Sequence, residues 1–202
     1  ENRYEQAYGI AASADHADEG ERKFVMGQAL GRMGRLDAAE AALREAHALA
    51  PGRNDILGQL GVLLVAMNRN DEALPCLEQA VTGDPADYRA LGAWGLALLA
   101  GGDPEGAFER LRASLELHFD NAALMEQFVS LGETMEKPEG VEPILRRFVD
   151  FYPGNTAMTI RFARVLMRLG KREEARERLE TLLIFEPANN DVRRLLEEMP
   201  GT

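Results

Sequence analysis

The residues that could perform chemistry in this 202-residue chain are few and scattered. The three histidines, His16, His47 and His118, lie far apart, and the only cysteine, Cys76, stands among apolar neighbours. The chain has no His-Glu-x-x-His zinc motif, no phosphate-cradling glycine loop and no Gly-x-Ser-x-Gly elbow. A single cysteine allows neither an intramolecular disulfide nor an all-cysteine metal site. We therefore predict a non-catalytic chain without cofactor or metal, in which Cys76 is a buried, inert thiol.

One group of charged residues has a spacing that could bind a ligand. Arg161, Arg164 and Arg168 follow each other at intervals of three and four residues, so a helix carries them on one face. Their guanidinium groups could hold a carboxylate or a phosphate. The alternative is a set of solvated salt bridges to neighbouring helices, for which Arg164 has no obvious acidic partner.

The composition limits the classes of partner. The net charge of −11 and the isoelectric point of about 4.8 argue against nucleic acid and anionic membranes, because positive charge supplies most of the affinity for both. No apolar run reaches the roughly 18 residues of a membrane helix, which argues against direct insertion. The chain begins without methionine, so we expect a fragment or a processed form, from which any targeting segment could already have been removed. Its localisation stays open, with the cytoplasm slightly favoured over the periplasm, and its alanine- and arginine-rich composition is typical of a bacterial protein.

A step of 34 residues organises most of the chain. Prolines recur at positions 51, 85, 153 and 187, and leucines at 43, 77, 111, 145 and 179. Between them, apolar residues follow the spacing of two helices per repeat, with a turn residue such as Gly34 or Asn68 separating the helices. Internal repeats of this length indicate stacked helix pairs.

The order of large apolar residue, packing glycine, turn glycine, alanine, leucine and proline resembles the tetratricopeptide repeat family. The resemblance implies an all-α solenoid of helix-turn-helix repeats, wound as a right-handed superhelix. Five repeats are expected at residues 20–53, 54–87, 88–121, 122–155 and 156–189. Residues 1–19 are expected to hold the second helix of a truncated repeat, and residues 190–202 a C-terminal capping helix and tail.

The resemblance also implies that the first helices line a concave groove that binds a peptide or a helix of a protein partner. The expected groove residues are Phe24, Gln28, Arg32, Gly58, Gln59, Val62, Val65, Gly92, Leu96, Leu99, Gln127, Arg161, Arg164 and Arg168. The valines and leucines of this set form an apolar floor, which is either a binding surface or is buried by the chain itself or by a second copy. Glu126 and Glu133 are alternative partners for Arg161 and Arg168. Phe24 is either an exposed anchor or is covered by the N-terminal helix.

We predict a scaffold or adaptor that binds an amphipathic or apolar peptide across the apolar floor, with acidic groups of the peptide toward Arg164. One alternative is a regulatory or targeting domain of a larger enzyme, such as a glycosyltransferase-type parent chain. Another is a self-assembling scaffold, so a homo-oligomer remains open.

Overall fold

The computed structural model describes residues 2–13 and 18–199, and within them it contains twelve helices and no strand. His16 lies outside the described residues. The helices are α1 (Asn2–Ser13), α2 (Glu19–Arg32), α3 (Leu36–Leu49), α4 (Asn54–Ala66), α5 (Asn70–Gly83), α6 (Tyr88–Ala100), α7 (Pro104–Leu117), α8 (Ala122–Thr134), α9 (Pro138–Phe151), α10 (Thr156–Arg168), α11 (Arg172–Phe185) and α12 (Asn190–Glu198). The predicted all-α fold is confirmed. In the described part of the chain, no helix is long and apolar enough to cross a membrane.

The 34-residue step appears directly in the helix starts. Helices α4, α6, α8, α10 and α12 begin at residues 54, 88, 122, 156 and 190, and helices α3, α5, α7, α9 and α11 begin at 36, 70, 104, 138 and 172. Capping side chains fix the starts of several helices in the group α4, α6, α8, α10 and α12, because each cap accepts a hydrogen bond from a backbone N–H that the first turn leaves unpaired. These capping residues are Asp87, Asn121, Asn155 and Asn189, and Asp18 caps α2 in the same way.

The turn inside each pair uses a left-handed backbone. Gly34, Asn68, Gly102 and Gly170 have φ between +58° and +82°, as their residue types allow. Glu136 takes the same conformation at φ +54°, which is strained because its Cβ atom comes close to the following carbonyl oxygen. Among these turns, the one at Glu136 is therefore the one where the residue type does not favour the left-handed backbone that it adopts.

The tertiary contacts divide the chain into two compact units, which we call unit 1 (Glu1–Leu117) and unit 2 (His118–Thr202). In unit 1, α2 pairs with α3, α4 with α5, and α6 with α7, while α4 also lies against α6. Three glycines allow the close pairing. A Cβ atom on Gly27, Gly61 or Gly95 would lie 2.5–2.7 Å from the Cγ of the leucine that faces it.

In unit 2, the same helix positions carry larger residues. Val129 and Ala163 stand where unit 1 has packing glycines, and both are fully buried. Phe128, Phe148 and Phe162 fill the core, and α8 pairs with α9 less closely than the helices of unit 1 pair. Helix α12 packs on α11, and its residues Val192 and Leu195 are buried. Without α12, the last repeat would expose its apolar face.

Candidate functional site

In unit 1, residues of three successive first helices line a small cleft of about 230 Å³. Five of them belong to the groove set expected from the sequence. The lining residues are Phe24, Gln28, Asp55, Gly58, Gln59, Val62, Asp87 and Arg89.

A second cleft of about 180 Å³ adjoins the first, since Gln28, Gln59 and Arg89 line both. Its other lining residues are Tyr4, Ala7, Val25, Ala29 and Arg32. We call the two together the glutamine cleft. The groove set expected from the sequence did not include Arg89, and it did not include α1, which was expected to be the second helix of a truncated repeat.

Phe24 lines the glutamine cleft, but its side chain is almost fully buried. Its ring is only 8% exposed, and the guanidinium carbon of Arg53 lies 4.9 Å from the ring centre. Arg53 also binds the carboxylates of Glu21 and Asp55, and its hydrogen bonds lower the pKa of Asp55. The ring is therefore a covered packing group and not an exposed anchor.

The apolar floor of unit 1 is half-buried. Val62 and Val65 pack against the core of this unit, and Leu96 and Leu99 are also only partly accessible. Gly58 was expected to admit a ligand close to the backbone. A Cβ atom there would lie 2.9 Å from the Asp87 carboxylate, so the chain's own packing accounts for this glycine.

Gly92 is likewise buried in α6, whereas Arg32 at the end of α2 is exposed. In unit 2, Gln127 is exposed on α8. Six of the expected residues of unit 1 line the glutamine cleft, namely Phe24, Gln28, Arg32, Gly58, Gln59 and Val62. Val65, Gly92, Leu96 and Leu99 line neither part of it.

Arg161 of unit 2 is occupied by acidic residues of α8. Its Nη2 donates to Glu133 Oε2 at 2.6 Å and to Ser130 Oγ at 2.9 Å, and its Nη1 donates to Glu126 Oε1 at 2.5 Å. These contacts raise the pKa of Arg161, the Glu133 hydrogen bond contributing most. Arg161 therefore forms salt bridges to the neighbouring helix α8 and is not free to hold a ligand.

Arg164 and Arg168 are exposed instead. Arg168 donates one long hydrogen bond of 3.4 Å to the Glu133 carbonyl, and Arg164 makes no hydrogen bond or ion pair within the described residues. Both line a cleft of about 370 Å³, which we call the arginine cleft. Its other lining residues are Gly132, Glu133, Pro138, Val141, Val165, Met167, Leu195 and Glu198.

A third surface, the aromatic cleft, was not anticipated. It is an open hollow of about 750 Å³ in unit 2, where Phe151 is 63% exposed and Phe148, Tyr152 and Pro153 form neighbouring walls. The Phe119 ring meets the Phe151 ring edge-on at 5.4 Å. The signal in the sequence is Phe119 itself, which occupies the position where the 34-residue step places a proline in other repeats.

The potential catalytic groups do not come together in the described residues. Cys76 is half-buried, and burial raises the pKa of its thiol, which disfavours the reactive thiolate. Within residues 2–13 and 18–199, no group of three His, Cys, Asp or Glu side chains is placed to hold a metal ion.

Known proteins share this architecture. The chain is 39% identical over 84 residues to cellulose synthase operon protein C of Komagataeibacter xylinus, a match that spans 40% of this chain and 6% of that protein. A solved structure of PilF from Pseudomonas aeruginosa superposes with a TM-score of 0.72 and 19% identity over 98% of this chain and 90% of that one. A crystal structure of MamA superposes with a TM-score of 0.65 and 17% identity over 84% and 92%.

The family assignment rests on the sequence. A tetratricopeptide repeat model matches residues 32–95 and 135–199, which together make up more than half of the chain. The helix pairs, their 34-residue register and the packing glycines agree with that match. The chain belongs to the tetratricopeptide repeat family.

Proposed function

We propose that this chain is a scaffold that binds a segment of a protein partner in the glutamine cleft of unit 1. Tetratricopeptide repeats act as protein–protein interaction scaffolds, but the fold leaves the partner open. The choice of surface and ligand therefore rests on the side chains that the first helices present.

The observation that carries the proposal concerns Gln28 and Gln59. Both residues are half-buried, both line the two parts of the cleft, and neither side-chain amide makes a hydrogen bond within the described residues. Each amide has donors and an acceptor, the same groups that a peptide backbone offers. Both amides remain accessible to solvent, so a bound backbone can replace their hydrogen bonds to water, and each such hydrogen bond contributes about 0.5–1.5 kcal/mol net.

The surroundings of the amides suit a segment with apolar side chains. Val62 and Ala29 supply apolar walls, and Arg32 and Arg89 stand at the polar edge. An amphipathic helix or an extended peptide combines these features. We infer that such a segment places apolar residues toward Val62 and backbone or amide groups toward the glutamines.

The test is a selection of random displayed peptides on the full chain, followed by affinity measurements. We expect peptides selected on the wild type to bind Gln28→Ala/Gln59→Ala at least about tenfold more weakly. The matched control is Gln79→Ala, which removes an exposed glutamine on α5. Failure to select any peptide, or equal binding to the double variant, would contradict the proposal.

A second candidate function is that of a binding domain within a longer protein. It is favoured by the match to cellulose synthase operon protein C, of which this chain spans only 6%. An immunoblot of native cells with an antibody against this chain decides the point. A band far larger than 22.3 kDa supports the longer parent, and a band near that mass argues against it.

Self-assembly is a third candidate, favoured by exposed apolar residues at the ends of the second helices. Leu49, Leu117, Phe151 and Phe185 each stand at the last position of such a helix and are 51–75% exposed. Exposed apolar groups of this kind favour association. Sedimentation showing a monomer at high concentration would exclude it.

A further inference from the structure

The arginine cleft of unit 2 combines an apolar interior with an unpaired cation. Val141, Val165 and Leu195 are buried side chains at its walls, and half-buried Met167 lies beside them. Methionine adapts its shape to varied apolar partners. At about 370 Å³, the cleft can hold one or two side chains of a partner.

The charges around the cleft leave a positive excess. Glu133 lines it, but its two carboxylate oxygens already accept hydrogen bonds from Arg161 Nε and Nη2, at 3.1 and 2.6 Å. Arg164 and Arg168 then face a single further carboxylate, that of exposed Glu198. In a chain with a net charge of −11, a cleft with this local balance favours an anionic ligand.

We propose that the arginine cleft binds an acidic side chain of a protein partner, with the Asp or Glu flanked by an apolar residue that enters the cleft. The inference deepens the proposed scaffold function and rests on it. Arg164 is the principal contact, because its guanidinium can donate two parallel hydrogen bonds to one carboxylate at no cost to an internal ion pair. The apolar walls distinguish this ligand from a free phosphate, which has no group to place against Val165 or Leu195.

The experiment uses the full chain and displayed random peptides whose C-termini are fused to the carrier, so every carboxylate offered comes from a side chain. The selection is carried out on Gln28→Ala/Gln59→Ala, which removes the binding proposed for unit 1. We expect enrichment of Asp or Glu beside Leu, Ile, Met or Phe.

Synthetic versions of the enriched peptides are then measured against variants. We expect Arg164→Gln to weaken binding at least about tenfold and about 1 M NaCl to weaken it as well. The matched control is Arg172→Gln, which removes an exposed arginine outside the cleft and should leave the affinity unchanged. Circular dichroism verifies that each variant is folded.

The outcomes separate the two proposals. Peptides that bind equally well to Arg164→Gln, or enriched peptides without acidic residues, overturn the arginine-cleft assignment and leave the scaffold function intact. Synthetic peptides that bind with a free C-terminus but not with an amidated one also overturn it, because the anion would then be a terminal carboxylate. If neither the wild type nor any variant selects a peptide, the scaffold function is contradicted, and the arginine-cleft assignment that rests on it is contradicted as well.

Discussion

Two regions lying 102 residues apart, one in each unit, carry the same ion network on their second helices. In unit 1, Glu40 pairs with Arg44 and Arg69 at 2.7 Å each. In unit 2, Glu142 pairs with Arg146 at 2.5 Å and with Lys171 at 3.3 Å. The central glutamate side chain is 10% exposed in one network and 12% in the other. The members correspond one to one along the sequence: Glu40, Arg44, Arg69 and Glu72 with Glu142, Arg146, Lys171 and Glu174.

The first helices of the same two regions differ. Where α4 presents Gln59, Val62 and Ala66, α10 presents Arg161, Arg164 and Arg168. The residues that join consecutive helix pairs are thus repeated, and the residues left accessible on the first helices are not. The comparison teaches that the network serves stability in both regions, while each first-helix face has its own binding chemistry.

The helix pairs also differ in how closely they approach. Gly61 of unit 1 and Val129 of unit 2 occupy equivalent repeat positions, so Gly61→Val introduces into unit 1 the residue that unit 2 has there. Because even a Cβ atom there would lie 2.5 Å from Leu77 Cγ, we expect a loss of about 3 kcal/mol in the free energy of unfolding. Urea titration measures it, with Gly9→Ala as the control, since no atom lies within 4 Å of that site. An unchanged midpoint for Gly61→Val would show that the glycine is not required by packing.

The two ion networks should respond alike to loss of the central glutamate. Glu40→Ala and Glu142→Ala each leave two cations without their shared partner, and the glutamates are largely buried. We expect each variant to lose about 1–2 kcal/mol, below the cost for a fully buried pair because the side chains of the paired cations are 31–52% exposed. Thermal unfolding of both variants tests it. A large loss for one and none for the other would break the equivalence of the networks.

The strained turn between α8 and α9 offers a stabilising change. Glu136 has a positive φ where the other turns have glycine or asparagine, so Glu136→Gly should raise the free energy of unfolding by about 1 kcal/mol. Chemical denaturation measures the gain. Glu139→Gly, on an exposed first-turn residue of α9, is a control that should not stabilise. A loss of stability for Glu136→Gly would mean that the side chain contributes more than the backbone strain costs.

The smallest expected effect is on the acid dependence of stability. Hydrogen bonds from Arg146 lower the pKa of Glu174 in the folded chain below its ordinary value of 4.5. Its contribution is therefore complete above pH 4.5 and is lost as the pH falls through the lowered pKa. We expect Glu174→Gln to cost less than about 1 kcal/mol at neutral pH and to make stability less sensitive to acid. An unchanged acid profile would contradict this role of the pair.

Much of the fold could be predicted from the sequence, because it depends on local rules. The 34-residue step, the turn glycines and caps such as Asn121 and Asn155 follow from helix spacing and from backbone hydrogen bonding. The residue type of Glu136 gives no sign of its positive φ, which is indicated only by the 34-residue step that places it at the turn position of its repeat.

The candidate site was less predictable because its details depend on contacts between distant residues. Gln28, Gln59 and Val62 were assigned from their repeat positions, and the structure places them at one cleft. The participation of Tyr4 and the burial of Phe24 depend on how α1 and Arg53 pack, which no local spacing encodes.

The most direct test of the central claim is to map a bound peptide on the full chain by NMR. With a peptide selected on the wild type, we expect the side-chain amide signals of Gln28 and Gln59 to shift, together with backbone signals of α2 and α4. The signals of Gln79 on α5 should stay in place. Shifts confined to the second helices, or to the aromatic cleft around Phe151, would contradict binding in the glutamine cleft.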